Sequence, residues 1–149
     1  LYRHIEWPIV IMLAAMIPIG QALESTGITA LIATEVVSLA GDLHIFWVLM
    51  LILIITMLIT DVINNAATAV IMAPFSVNIA LQLGQPLEPF LMVVAVGASC
   101  AFLTPIGHQC NTLVMGPGNY KFSDYWRLGL PLDILIVLAS IPMILFVWL

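Results

Sequence analysis

The sequence predicts an all-α membrane protein made of broken transmembrane helices and a re-entrant helical hairpin. Hydrophobic residues make up 63% of the 149 residues and charged residues only 7%, whereas charged residues are about a quarter of a typical soluble domain. Apolar runs recur at close to the length that crosses a bilayer, about 20 residues. Polar clusters at residues 60–68 and 103–112 interrupt two of these runs. Polar groups at such a depth are costly unless they line a cavity or bind something.

The first predicted element is a broken helix over residues 7–40. Trp7 is expected to anchor the chain at the membrane interface, and Pro8 and Pro18 bracket an apolar run. As a helix that run is only about 18 Å long, which is too short to span a bilayer. The residues that follow fit either an amphipathic helix at the interface or a helix packed within a bundle.

The second predicted element is a helical hairpin over residues 45–83. Its arms, 45–60 and 66–83, would be about 24 Å and 27 Å long, so each nearly crosses a bilayer of about 30 Å. Two full spans joined by a surface turn would also fit. The turn contains no Gly, Pro, Lys or Arg, which solvated turns between membrane helices often use. Its asparagines and hydroxyls can instead replace a hydration shell, which favours a re-entrant hairpin.

Three elements are predicted after the hairpin. A broken helix covers residues 88–116, because Pro105 removes a backbone donor and Gly107 relaxes the backbone. Residues 119–127 mix aromatic and charged side chains, which is typical of an interfacial segment. Residues 128–149 form a final helix, in which Asp133 is expected near the membrane interface.

Composition and motifs exclude several classes of function. The only basic residues are Arg3, Lys121 and Arg127, so nucleic-acid binding has no support. The sequence contains no HExxH, no Gly-x-Ser-x-Gly, no phosphate-binding Gly-Lys motif and no Cys/His metal spacing. Cys100 and Cys110 are expected to be reduced packing residues. We therefore expect no enzyme and no cofactor.

The two polar interruptions have complementary chemistry. Helix arms that begin near Ala66 and Gly107 would present free backbone amides and a positive dipole end, which suit an anion. Arms that end near Thr60 and Leu103 would leave free carbonyls, which suit sodium. Broken helices that meet at the bilayer midplane bind substrate together with a coupling cation in many secondary transporters. The sequence thus predicts a transporter of a small anionic solute.

Two stretches carry a resemblance to a known family: residues 64–74, NNAATAVIMAP, and residues 104–131, TPIGHQCNTLVMGPGNYKFSDYWRLGLP. They resemble the C-terminal half of the divalent anion/sodium symporter family, which carries sulfate and dicarboxylates. The resemblance implies one repeat of an inverted-repeat transporter, with sodium as the coupling ion. It also implies an N-terminal half of the same transporter, a homodimer, and a location in the lipid bilayer of a prokaryotic inner membrane.

The resemblance also implies site residues. The substrate-binding candidates are Asn64, Asn65 and Ala66 at the hairpin tip and Thr104 and Pro105 in the broken helix. The family's Ser-Asn-Thr tip falls on residues 64–66 when aligned from Pro74, without either hydroxyl, and on residues 63–65 when shifted by one. Asn65 belongs to the tip in both registers and is the candidate sodium ligand. The candidates for cation binding or coupling are Asp61, Asn65, Thr68 and Asn111.

Each candidate has a structural alternative. Asn64 and Asn65 could cap the following helix, and Thr104 and Asn111 could bond helices together. Asp61 could balance sodium, carry a coupling proton or be a paired structural carboxylate. His108 is expected to be a packing residue.

Two other functions remain open at this point. One is a proton-coupled permease for a related anion such as citrate or arsenite, in which Asp61 carries the proton. The other is a structural or channel-like membrane subunit that transports nothing itself.

Overall fold

The computed structural model describes residues 44–149 and, upstream, the isolated positions 14, 18, 22, 25–27, 31 and 34. Over residues 44–149 the chain forms five helices and no strand, which confirms the all-α prediction for that part. The predicted broken helix over residues 7–40 falls almost wholly outside the described residues.

The first two helices follow each other closely in the chain and contact one another, α1 over Ile45–Thr60 and α2 over Asn65–Leu83. The Nδ1 atom of His44 accepts a hydrogen bond from the Phe46 amide and caps α1. At the other end of the pair, α2 stops at Gly84, whose φ of 63° is left-handed and suits glycine. Residues 61–64 join the two helices. We call these residues, together with Asn65 and Ala66 at the start of α2, the tip.

Helix α3 spans Leu87–Ala98 and packs against both α1 and α2. Its contact with α1 is close at Gly97, where a Cβ atom would lie 2.9 Å from the Thr56 Cβ. On its other side, the Ser76 hydroxyl of α2 donates to the Phe90 carbonyl at 2.9 Å. The core between these three helices is apolar and contains Leu49, Ile52, Leu53, Ile79, Phe90 and Val93.

Helix α3 ends at Ala98, and an irregular segment over residues 99–108, which we call the interruption, leads to α4 at Gln109–Met115. Helix α5 then runs from Phe122 to Trp148, so it begins inside the predicted interfacial segment 119–127. The Asp124 Oδ2 atom accepts the Lys121 amide at 2.8 Å. This cap starts the helix before the apolar run begins.

Two of the described helices, α2 and α5, are long and apolar enough to cross a membrane. Helices α1 and α3 are apolar but shorter, with 16 and 12 residues. Large apolar side chains along α5 are exposed in this chain, among them Leu128, Leu135, Leu138, Met143 and Phe146. Such a surface fits contact with lipid or with another part of a membrane protein.

Candidate substrate and cation site

The tip begins directly after α1, and helical hydrogen bonds continue for a few residues past the end of that helix. The Asp61 amide donates to the Met57 carbonyl at 3.2 Å, and the Ile63 amide donates to the Ile59 carbonyl at 2.9 Å. The chain then re-enters a helix at once, because the Asn64 Oδ1 atom accepts the Ala67 amide at 2.8 Å. Asn64 is therefore the N-cap of α2, and its side-chain oxygen is used in that role.

Asn65 connects the two arms of the hairpin across the tip. The Thr60 Oγ1 atom lies 2.9 Å from the Asn65 Oδ1 atom and 3.0 Å from the Ala98 carbonyl oxygen. A hydroxyl has one hydrogen, so these two acceptors share it. Since Thr60 ends α1 and Ala98 ends α3, the Asn65 side chain is held where three helix ends meet.

Asp61 joins the tip to the interruption. Its Oδ1 atom accepts the Leu103 amide at 2.9 Å, and its backbone carbonyl accepts the Thr104 hydroxyl at 2.5 Å. The residue is buried, with 3% of its surface exposed. Its second carboxyl oxygen, Oδ2, has no hydrogen-bond partner within the described part of the chain.

The interruption is held in shape by its own polar side chains. The Asn111 amide group donates to the carbonyls of Ala101, at 2.8 Å, and Thr104, at 3.2 Å. The buried Pro105 contributes its carbonyl, which accepts the Thr112 hydroxyl at 2.6 Å. Asn111 therefore organises the loop through its side chain, and Pro105 takes part through its backbone.

The remaining residues that the sequence analysis discussed, Ala66, Thr68 and His108, differ in burial and in hydrogen bonding. Ala66 is half-buried in the first turn of α2, where backbone amides have no partner within the helix. Thr68 is fully buried, and its hydroxyl lies 3.2 Å from the Asn64 carbonyl one turn back. This hydroxyl is thus used inside α2. His108 is exposed and caps α4 through its Nδ1 atom, which accepts the Cys110 amide at 3.2 Å.

Two glycines allow backbones to meet at this junction: Gly107, which the sequence analysis named as a break in the helix, and Gly129, which it did not name. A Cβ atom on Gly107 would lie 3.0 Å from the Thr60 carbonyl oxygen, so the interruption approaches the tip closely. A Cβ atom on Gly129 would lie 2.5 Å from the Phe102 carbonyl oxygen, so α5 approaches the interruption closely. A glycine at each of these positions is the sequence signal for a close approach of two backbones. The sequence does not indicate which residue is approached.

Asp133 is a further residue whose burial the sequence did not predict. Its side chain is buried in this chain, with 9% of its surface exposed, and its expected position near the membrane interface stays a prediction. It follows Gly129 by four residues, so it lies one turn further along the same face of α5.

The junction of the tip and the interruption offers hard oxygen atoms. The Asp61 carboxylate, the Asn65 amide oxygen and backbone carbonyls at the end of α1 are ligands of the kind that replace the hydration shell of a monovalent cation. The first-turn amides of α2 begin within the tip itself, at Asn65 and Ala66, and helix N-termini suit anions. The arrangement can therefore bring a cation and an anion together.

Comparison with known proteins gives a family match over the whole chain. The model of a family described as citrate transporter matches residues 1–149. An uncharacterized transporter of Synechocystis is 37% identical over 148 residues, which is 99% of this chain and 24% of the relative. An uncharacterized transporter of Escherichia coli is 40% identical over 143 residues, which is 96% of this chain and 23% of the relative.

A further relative carries a more specific name. Sodium/sulfate cotransporter 2 of Chlamydomonas reinhardtii is 28% identical over 139 residues, which is 93% of this chain and 16% of the relative. This similarity agrees with the resemblance to sodium-coupled anion symporters. The chain spans about a quarter or less of the length of these relatives.

Proposed function

Because the chain belongs to the citrate transporter family, we propose that the full-length protein is a sodium-coupled symporter of a divalent anion, sulfate or a dicarboxylate. The family is one of transporters, and the chain is part of an integral membrane protein. The names of the sodium/sulfate cotransporters among its relatives support sodium and a doubly charged anion.

A single observation carries this proposal: the tip and the interruption are joined through Asp61. The Asp61 carboxylate accepts the Leu103 amide, and the Thr104 hydroxyl donates to the Asp61 carbonyl. These two discontinuities in the helical backbone therefore lie side by side. Irregular backbone within a membrane is tolerated where it is buried in protein or lines a cavity, and such places hold substrate sites in many transporters.

We assign the roles of the tip residues by their chemistry. The Asn65 amide oxygen and the Asp61 carboxylate contribute to a sodium site. The backbone amides of Asn65 and Ala66, at the start of the 19-residue helix α2, face the anion, with Thr104 and Pro105 on the opposite side. Thr68 and Asn111 support the cation site by fixing α2 and the interruption. With no lysine or arginine in either segment, the bound cation offsets the anion's charge.

A second candidate function is a proton-coupled permease for citrate. The family description favours citrate, and the buried Asp61 Oδ2 atom, which has no partner among the described residues, favours a proton carrier. In this version Asp61 is protonated on one side of the membrane and releases its proton on the other.

The remaining features of the whole protein follow from the family resemblance. We propose that an N-terminal half completes the site from the opposite side, that two copies form a homodimer, and that the protein lies in a prokaryotic inner membrane. The small anionic solute, sodium and lipid are its partners.

Uptake by the full-length protein in proteoliposomes tests the proposal. Labelled sulfate, succinate and citrate are offered separately, with an inward sodium gradient, with an inward proton gradient, and with neither. We expect sodium to drive uptake of at least one divalent anion, and we expect Asn65→Ala to abolish it.

Asn78→Ala is the matched control, because Asn78 lies on the same helix but its side chain bonds within that helix, to the Pro74 carbonyl at 2.9 Å. This variant should transport like the wild type. Uptake driven by protons alone would replace the sodium symporter with the citrate permease. Uptake that neither gradient drives, for any of the three anions, would refute both.

A further inference from the structure

One face at the start of α5 contacts the chain on both sides of Thr104. The Tyr125 hydroxyl donates to the backbone carbonyl of Asn111 at 2.6 Å, so it joins α5 to α4. Gly129 lies one turn further along the same face of α5, and its backbone lies against the Phe102 carbonyl. The interruption is therefore held from α5 before Thr104, at Phe102, and after it, at Asn111.

The Tyr125 contact matters because little else holds α4 in this chain. None of the seven residues of α4 is buried. A cavity lies beside the hydrogen bond, lined by residues of α4, α5 and the interruption, among them Val114 and Leu128. Side-chain packing between α4 and α5 is thus incomplete. Within residues 44–149, the Tyr125 hydroxyl is the polar contact that joins the two helices.

The Tyr125 ring is itself supported by a second aromatic side chain. The rings of Tyr120 and Tyr125 meet edge to face, with centroids 6.3 Å apart and planes at 68°, an arrangement that aromatic pairs prefer. The Tyr120 amide donates to the Met115 carbonyl at 3.1 Å, so the turn that ends α4 places this ring. The Tyr125 hydroxyl is therefore presented to Asn111 by a ring that is held on one side.

Asn111 connects this contact to the tip. Its side-chain amide donates to the Thr104 carbonyl at 3.2 Å. The Thr104 hydroxyl in turn donates to the Asp61 carbonyl and accepts the Gly107 amide, the latter at 3.2 Å. Two hydrogen bonds, both made by Asn111, thus separate the Tyr125 hydroxyl from the backbone of Thr104.

We propose that Tyr125 is a positioning residue for anion binding: its hydroxyl fixes Asn111, and the Asn111 side chain sets the position of Thr104. This inference rests on the proposed function, in which Thr104 faces the anion. Because Tyr125 acts through Asn111, Tyr125→Phe changes the site without removing any of its ligands.

Hydrogen–deuterium exchange of the purified full-length protein tests the structural part of this proposal without relying on binding. Tyr125→Phe removes the hydroxyl and keeps the ring. We expect the amides of residues 99–112 to exchange faster than in the wild type, and those of α1 and α2 to keep wild-type rates. Wild-type exchange of residues 99–112 in Tyr125→Phe would overturn the proposal.

Tyr120→Phe is the matched control. Tyr120 is 49% exposed, and its hydroxyl makes no hydrogen bond within the described residues. Loss of this hydroxyl keeps the ring contact with Tyr125, so both exchange and anion binding should match the wild type. Equal acceleration of exchange by Tyr120→Phe and Tyr125→Phe would overturn the assignment to the Tyr125 hydroxyl.

A double-mutant cycle in equilibrium binding distinguishes a positioning role from general stabilisation. Labelled sulfate, succinate and citrate are the probes, each with sodium. Tyr125→Phe should weaken binding by about fivefold, the effect of one lost neutral hydrogen bond. If Tyr125 acts by placing the Thr104 hydroxyl, Tyr125→Phe combined with Thr104→Val should bind like Thr104→Val alone. Losses that multiply would show independent action and would overturn the proposal.

The two experiments separate failure of this inference from failure of the proposed function. A wild type that binds none of the three anions would refute the proposed function and the anion role of Tyr125 with it. Sodium-dependent binding by the wild type, together with wild-type exchange and binding in Tyr125→Phe, would refute the role of Tyr125 alone.

Discussion

Two adjacent asparagines at the tip have different environments. Asn64 is exposed and caps α2 with its side-chain oxygen, whereas Asn65 is half-buried and lies beside Thr60. The sequence could not separate these roles, because a cap and a ligand use the same amide oxygen. Which asparagine caps depends on where the helix starts, and the structure starts α2 at Asn65.

This difference leads to a prediction for Asn64. Asn64→Ala removes the cap of α2 and should lower stability by about 1 kcal/mol, the typical cost of losing such a cap. Thermal unfolding of the full-length protein in detergent would show a lower apparent melting temperature. Asn64→Ser retains an oxygen at the N-cap and should restore it. An Asn64→Ala protein as stable as the wild type would show that the cap contributes nothing.

Among the helices, the ends that depend on local sequence were the easiest to predict. Helix α1 ends at Thr60 and α2 begins at Asn65, inside the polar cluster over residues 60–68, because polar residues there stop one apolar run and cap the next. Whether the hairpin enters and leaves on the same side of a membrane stays a prediction. Composition and the length of the apolar runs were sufficient to predict the all-helical architecture.

Helix ends that depend on single hydrogen bonds were harder to predict. Helix α5 begins at Phe122 because Asp124 accepts the Lys121 amide, whereas the aromatic and charged composition of residues 119–127 indicated a connection. The broken helix over residues 88–116 contains two helices that stop at Ala98 and resume at Gln109. Its interruption is wider than Pro105 and Gly107 alone indicate, because Asn111 bonds back to Ala101.

The packing of α5 on the interruption gives a prediction for Gly129. Gly129→Ala would place a Cβ atom 2.5 Å from the Phe102 carbonyl oxygen, so α5 must move away or the interruption must shift. Overpacking of this kind costs roughly 1–3 kcal/mol. Thermal unfolding in detergent should show the loss. Gly116→Ala is the matched control, because a Cβ atom there meets nothing within 4 Å. Equal stability of the two variants would contradict the close contact of α5.

At the scale of the whole molecule, this chain matches only part of the length of its relatives. It covers 24% and 23% of the two relatives described as uncharacterized transporters, and α5 exposes many large apolar side chains. The contacts between the tip, the interruption and α5 join residues far apart in the chain, such as Asp61 with Leu103. Sequence periodicity does not encode such pairings, which is why the burial of Asp133 was missed.

The central claim is that the tip and the interruption together bind an anion with sodium. Equilibrium binding of the labelled anion to the purified full-length protein, with and without sodium, tests it most directly. Asn65→Ala and Thr104→Val should each weaken sodium-dependent binding by roughly tenfold or more, because lost hydrogen bonds to charged groups cost about 1.5–3 kcal/mol. Asn78→Ala, whose side chain bonds within its own helix, should bind like the wild type. Wild-type binding by both Asn65→Ala and Thr104→Val would contradict the claim.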